Sequence, residues 1–245
     1  MNPRIVLATA ARVMRQLRHD PRTIAMIIVV PVVLITLLKY VLWDQEGSFE
    51  RVGGPMVGIF PLILMFLVTS ITMLRERTTG TLERLMTLPL AKLDLLLGYG
   101  IAFAVVAAVQ AIVVSAVAFG LLGVDAEGST VLVVLLAIAN ALLGMSLGLF
   151  ASAFARTEFQ AVQFMPMFVL PQLLLCGLFV PRDQMAPALE EVSYALPMTY
   201  AYDALERVTL DGSLGAGGAV DVVVTLGATV LALMLAATTL PRRTP

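Results

Sequence analysis

The chain has 245 residues, 59% of them apolar and 13% charged, with a formal net charge of −1 and a mean hydropathy of +0.94. Soluble domains run near 45–50% apolar with about a quarter charged, so this composition excludes a soluble globular enzyme. Six apolar stretches of about 20 residues would use roughly half the chain and leave no loop longer than about forty residues, too little for a separate catalytic or nucleotide-hydrolysing domain of ordinary size.

Residues 1–22 place Arg4, Arg12, Arg15, Arg18 and Arg22 within about 120° of a helical wheel, with Val6, Leu7, Val13, Met14 and Leu17 in a similar arc opposite. The pattern predicts an amphipathic helix lying at a membrane interface. It leaves open whether that helix only anchors or also touches a partner. His19 sits among the arginines and reads as a surface or headgroup residue. Pro21 marks a turn into the first apolar run. That run, 23–43, is too long for a signal-peptide core and is followed by no small-residue cleavage site, so it reads as an uncleaved span. Further spans are expected at about 55–74, 95–122, 130–154, 161–180 and 220–240.

Six spans put both termini on one side. That side carries 12 of the 16 Lys and Arg residues, against Lys39, Arg51, Arg182 and Arg207 on the other, so the termini are expected in the cytoplasm. Acidic residues divide the opposite way, five to twelve, which gives charges of +7 and −8 on the two faces and favours contact with anionic inner-leaflet lipid. Tyr40 and Trp43 suit an aromatic belt.

The connection 75–92 holds the most information. Gly80 is an acceptable N-cap, Glu83 falls in a first helical turn, and Pro89 stops the segment. The resulting helix of about two turns is too short to be stable alone. Leu82, Leu85 and Met86 form an apolar stripe flanked by Glu76, Arg77, Glu83 and Arg84, which needs a groove in its own bundle or in another protein. In the fourth span, Gly144, Gly148 and Ser152 form a row of small residues suited equally to packing within the chain and to a dimer seam.

Gln163, Pro166, Pro171 and Gln172 interrupt the fifth span, and each proline frees a carbonyl that needs a partner, a water or a lined cavity. Phe164, Met165, Met167 and Phe168 add a soft, repackable wall. These residues either line a pathway, with Gln163, Phe164, Met167, Phe168, Pro171 and Gln172 as the path, or belong to a kinked packing helix. Cys176 reads as a buried apolar residue, and a lone cysteine leaves no disulfide framework or multi-cysteine metal site. The external segment 181–218 carries two apolar stripes, Leu189, Val192, Leu196 and then Met198, Ala201, Leu205, Val208, divided by Pro197. They form either a re-entrant helical pair or short helices on the membrane surface, with 212–218 as a flexible lead into the last span.

Chemistry of its own is scarce. Lys39, Asp94 and Asp221 stand near span ends, and no span pairs a serine with a histidine, two aspartates, or His-Glu-x-x-His. Neither Lys39 nor Lys92 follows a glycine as a phosphate-binding loop requires. If this protein moves something uphill, a partner must supply the work.

The run Arg75-Glu76-Arg77-Thr78-Thr79-Gly80-Thr81-Leu82-Glu83-Arg84-Leu85-Met86-Thr87-Leu88-Pro89-Leu90 resembles the Glu-Arg-x-x-Gly-Thr-Leu-Glu-x-Leu-x-x-Thr-Pro signature of the ABC type-2 transporter permease family. Leu88 separates Thr87 from Pro89, where many members have Thr-Pro directly. Pro171 through Pro181, Pro187, Leu196-Pro197-Met198-Thr199-Tyr200 and Leu205-Glu206-Arg207 resemble the family's segment after the fifth span, and the daunorubicin-resistance branch is the most similar.

The resemblance implies an all-α integral membrane protein of the bacterial inner membrane with six transmembrane helices and cytoplasmic termini. It implies a permease subunit without a catalytic site, paired with a second copy or paralogue. ATP and Mg would be bound by a separate ATP-binding subunit, with no cofactor in this chain and no nucleic acid involved. Its cargo would be a small hydrophobic or amphipathic solute, moved outward. Glu76, Arg77, Gly80, Thr81, Leu82, Glu83, Arg84, Leu85 and Met86 would form the coupling contact with the ATPase. The alternative is a scaffold or assembly factor that binds a cytoplasmic partner through the same loop and transports nothing.

Overall fold

The computed structural model describes residues 3–44, 48–81, 92–124 and 126–239. These form nine α-helices, one short 3-10 turn and no strand. They are α1 (Pro3–Arg18), α2 (Pro21–Val41), α3 (Ser48–Thr78), α4 (Lys92–Gly120), α5 (Thr130–Ala151), α6 (Glu158–Leu175), α7 (Pro187–Ser193), α8 (Pro197–Leu210) and α9 (Gly215–Thr238), with the 3-10 turn at Arg182–Gln184 before α7.

Five of them, α2, α3, α4, α5 and α9, are long and apolar enough to cross a membrane. The fifth expected span, 161–180, is shorter than its apolar run. Its helix α6 has 18 residues, including Glu158, three glutamines and two prolines, and ends at Leu175 before Gly177 turns the chain at φ +106. At the other end of the order, α9 is already helical from Gly215, inside the glycine-rich lead.

Local chemistry accounts for the junctions. α1 ends at Arg18, and Asp20 caps α2 by accepting from the Thr23 amide at 3.2 Å and its hydroxyl at 2.6 Å. Those bonds hold the Asp20 carboxyl below its ordinary value. Pro21 takes the first helical position, where its missing N–H costs nothing. Thr157 caps α6 in the same manner through the Gln160 amide.

The core is the pair α3 and α5. A Cβ on Gly144 would meet the Leu62 carbonyl oxygen at 2.0 Å, and one on Gly148 would meet the Phe66 carbonyl oxygen at 2.3 Å, so only glycine permits this backbone approach. The small-residue row is therefore packing within the chain. Thr69, buried in the seam, donates to Met65 O at 2.6 Å and lies 3.1 Å from Met145 O. Around this pair α4 and α9 pack on α5, α2 and α6 on α3, and α8 on both.

The amphipathic α8 is drawn into the bundle rather than laid on its surface. Met198, Ala201, Leu205 and Val208 are all fully buried, and Asn140 of α5 donates to Ala201 O at 3.2 Å. The amides of Glu127 and Gly128, in the loop before α5, donate to Thr209 O and Val208 O, satisfying carbonyls at the end of α8. α7 stays outside, with Leu189 and Val192 exposed.

Candidate functional site

The expected coupling contact begins where α3 ends. Gly80 adopts φ +72 and stands between the last turn of α3 and Thr81, which is again helical. Leu82, Glu83, Arg84, Leu85 and Met86 lie outside the described residues. Thr79 and Thr81 hydroxyls are 3.0 Å apart.

Glu76 faces inward. Only 5% exposed, it accepts from Arg12 Nη1 at 3.3 Å and from Gln16 Nε2 at 3.2 Å, both on α1. Arg12 also donates to the Tyr99 hydroxyl of α4 and lies over that ring. Arg77 is half-buried, and its Nε has no partner among the described residues. Two residues before Arg77, Arg75 grips Glu158 at the start of α6 through two bonds, 2.7 and 3.0 Å, which hold the Glu158 carboxyl below its ordinary value.

The expected path residues divide into two groups. Gln163, Phe164 and Met167 line a depression of about 400 Å³ with Phe154, Arg156 and Gln160, at the end of the molecule that carries α1. Phe168 stacks edge-on to Phe164 and tilts toward Phe66 of α3, while Pro171 is exposed farther along the helix. Gln172 turns away from that face. Its Nε2 donates to Phe168 O at 2.8 Å, and its Oε1 accepts from the Met198 amide at 3.4 Å, tying α6 to the start of α8.

Taken together, Gln160, Gln163, Met167, Pro171 and Leu174 form one exposed stripe at helical spacing. The exposed faces of α2 (Met26, Val29, Val33, Leu37) and α9 (Val220, Val223, Val230, Met234) are apolar between the helix ends. Glutamine side chains and proline-freed carbonyls are costly against hydrocarbon, so the α6 face demands water, a partner helix or a polar-headed guest.

A second polar centre, at the opposite end, was not singled out from sequence. Arg182 pairs with Asp203 at 2.7 Å, and these line a cleft of about 320 Å³ with Arg51, Glu190, Tyr194 and Glu206. Burial pushes the Asp203 carboxyl up to about 6 against the pull of Arg182. Arg207 pairs with Asp221 at 3.1 Å and fastens α8 to α9. The available signal was the count of acids in 181–218, which says that charge gathers there but not which groups meet.

The model of the ABC-2 type transporter family matches residues 5–209. Over 160 residues the chain is 28% identical to the probable multidrug ABC transporter permease YbhR of Escherichia coli K12, covering 65% of this chain and 44% of that protein. It is 25% identical over 166 residues to the inner membrane transport permease YhhJ of the same organism, covering 66% and 44%. It is also 29% identical over 145 residues to ABC transporter G family member 20 of Dictyostelium discoideum, covering 59% and 20%. The chain thus spans less than half the length of these relatives. With its all-helical, multi-pass architecture and a family match over most of its length, the chain belongs to the ABC-2 type transporter family.

Proposed function

We propose that this chain is the membrane subunit of an ATP-driven exporter. It carries no catalytic site of its own, works as a dimer in a bacterial inner membrane, and moves a hydrophobic or amphipathic solute outward. The end bearing α1 faces the cytoplasm, and α6 with 176–180 completes a sixth crossing. ATP and Mg are bound by a separate ATP-binding subunit seated under the loop that follows Gly80, with Thr81, Leu82, Glu83, Arg84, Leu85 and Met86 in the contact. The names of YbhR and YhhJ as transport permeases support the role, and the multidrug description of YbhR supports a greasy cargo.

One observation carries the reading: the exposed face of α6 opens with Gln160 and Gln163 and continues through Met167 and Pro171 beside a depression, whereas the exposed faces of α2 and α9 are apolar between their ends. Such a face suits a path that is wet in one state and accepts an amphiphile in another. The test is reconstitution in proteoliposomes with the ATP-binding subunit that co-purifies with it. ATP-dependent movement of a fluorescent amphiphilic dye is expected, and vanishes without that subunit. Stoichiometric capture of a cytoplasmic protein with no ATPase activity and no dye movement would instead favour a scaffold.

A further inference from the structure

Glu76 would be a surface residue if its task were to meet another protein, yet among the described residues it is one of the most enclosed charges. Three helices converge on it. From α1 come Arg12 and Gln16, both on its Oε1. Arg12 reaches on to the Tyr99 hydroxyl of α4, whose side chain is fully buried. Beside this knot α1 lies against α4 with no space to spare: a Cβ on Gly98 would meet Thr9 Cβ at 2.5 Å and Val6 O at 2.9 Å. The pairing advances in the same direction along both helices, from Thr9 at Gly98 and Arg12 at Tyr99 to Met14 and Leu17 beside Val105 and Val106.

We propose that Glu76 is a positioning residue that clamps α1 and the start of α4 to the end of α3, so that the last turn of α3 and the N-terminal helix move as one body. This rests on the exporter reading for its purpose, though not for its geometry. Taking Arg12 away leaves the enclosed Glu76 carboxylate without its cation, so α1 cannot leave α3 cheaply. Glu76 is four residues, about one helical turn or 6 Å, from Gly80. Movement of the last turn of α3 is therefore passed to α1 through this carboxylate and Arg12, and through Arg12 to Tyr99 of α4. The close seating of α1 on α4 at Gly98 adds to the clamp's own bonds.

The experiment uses the full chain in detergent with Cys176→Ala, carrying spin labels at Leu7 of α1 and Ile101 of α4, both exposed. A single narrow distance distribution is expected for the parent. Arg12→Glu and Glu76→Arg should each add a longer-distance population, and the double swap should remove it. Distributions unchanged in both single variants would overturn the proposal. Should the reversals fail to accumulate, Glu76→Gln and Arg12→Lys must widen the distribution in the same sense, and an unwidened one overturns it equally.

In the assembled complex, Arg12→Glu should cost permease-dependent ATP hydrolysis about tenfold or more, as much as Glu76→Arg does, and the swap should restore it. If Glu76 instead touched the ATPase, Glu76→Arg would weaken co-purification, Arg12→Glu would not, and the swap would rescue nothing. A parent chain that draws no ATPase response sinks the exporter reading, while the label distances still decide the clamp.

Discussion

Between α3 and α5, Gly144 and Gly148 admit the carbonyls of Leu62 and Phe66 to distances that no side chain would allow, whereas α6 meets its neighbours through the side chains of Ala161, Phe168, Val169 and Gln172 and leaves a whole stripe exposed. The first region is a post, with backbone against backbone and no room for sliding. The second is a wall, interrupted by Pro166 and Pro171 and anchored at its ends by Arg75–Glu158 and Gln172–Met198. The proposed exporter needs both, because a path can open only against something that does not move.

The largest effect should come from breaking the post. Gly144→Val drives a side chain into the Leu62 carbonyl, and overpacking of that severity costs about 1–3 kcal/mol or more. Folded, monodisperse protein should fall sharply in detergent chromatography. Gly227→Val on α9, where a Cβ meets nothing within 4 Å, should leave it unchanged. Equal tolerance of both would mean that the seam is not the rigid element.

The wall should respond in function and not in folding. Gln163→Leu should alter dye movement by about tenfold for at least one amphiphile, the scale of about 1.4 kcal/mol, while the unfolding temperature holds. Val29→Ala on the apolar face of α2 should change neither. Indifference of transport to Gln163 and Met167 for every cargo would make α6 a packing helix.

A smaller effect separates the cleft at the far end from the wall. Because burial raises Asp203 from 3.8 to about 6, the folded state keeps a proton that the unfolded chain has released. Asp203 therefore lends stability that is fully present below its ordinary value and lost as pH rises through about 6. The difference in unfolding temperature between the parent and Asp203→Asn should shift across that window, and a pH-independent difference would contradict the assignment. Smallest of all is Arg75→Ala: both partners of that pair are more than half exposed, so no more than about 1 kcal/mol is at stake in unfolding experiments.

Much of this architecture can be read from composition. Five long apolar runs became five long helices because hydrocarbon-length segments with few charges have one stable form in a bilayer. α6 fell short of its apolar run because Gly177 turns the chain, a choice hydropathy does not record. The glycine row in α5 announced a close approach without naming the partner, since spacing on one helix says nothing of which neighbour fills it. Glu76 was the hardest to read. Its partners lie 60 and 64 positions away, and local spacing placed it with the loop. The one clue was Arg12, which stands at the edge of the basic arc nearest Thr9, on the side of α1 that packs.

The central claim is that work enters through the loop after Gly80, and its most direct measurement is ATP hydrolysis by the co-purified ATP-binding subunit with permease variants changed in that loop. Leu82→Asp and Glu83→Arg should abolish the permease-dependent part of the rate while membrane insertion and dimer formation persist. An undiminished rate in both variants, or dye transport by the permease with no ATPase present, would contradict the account.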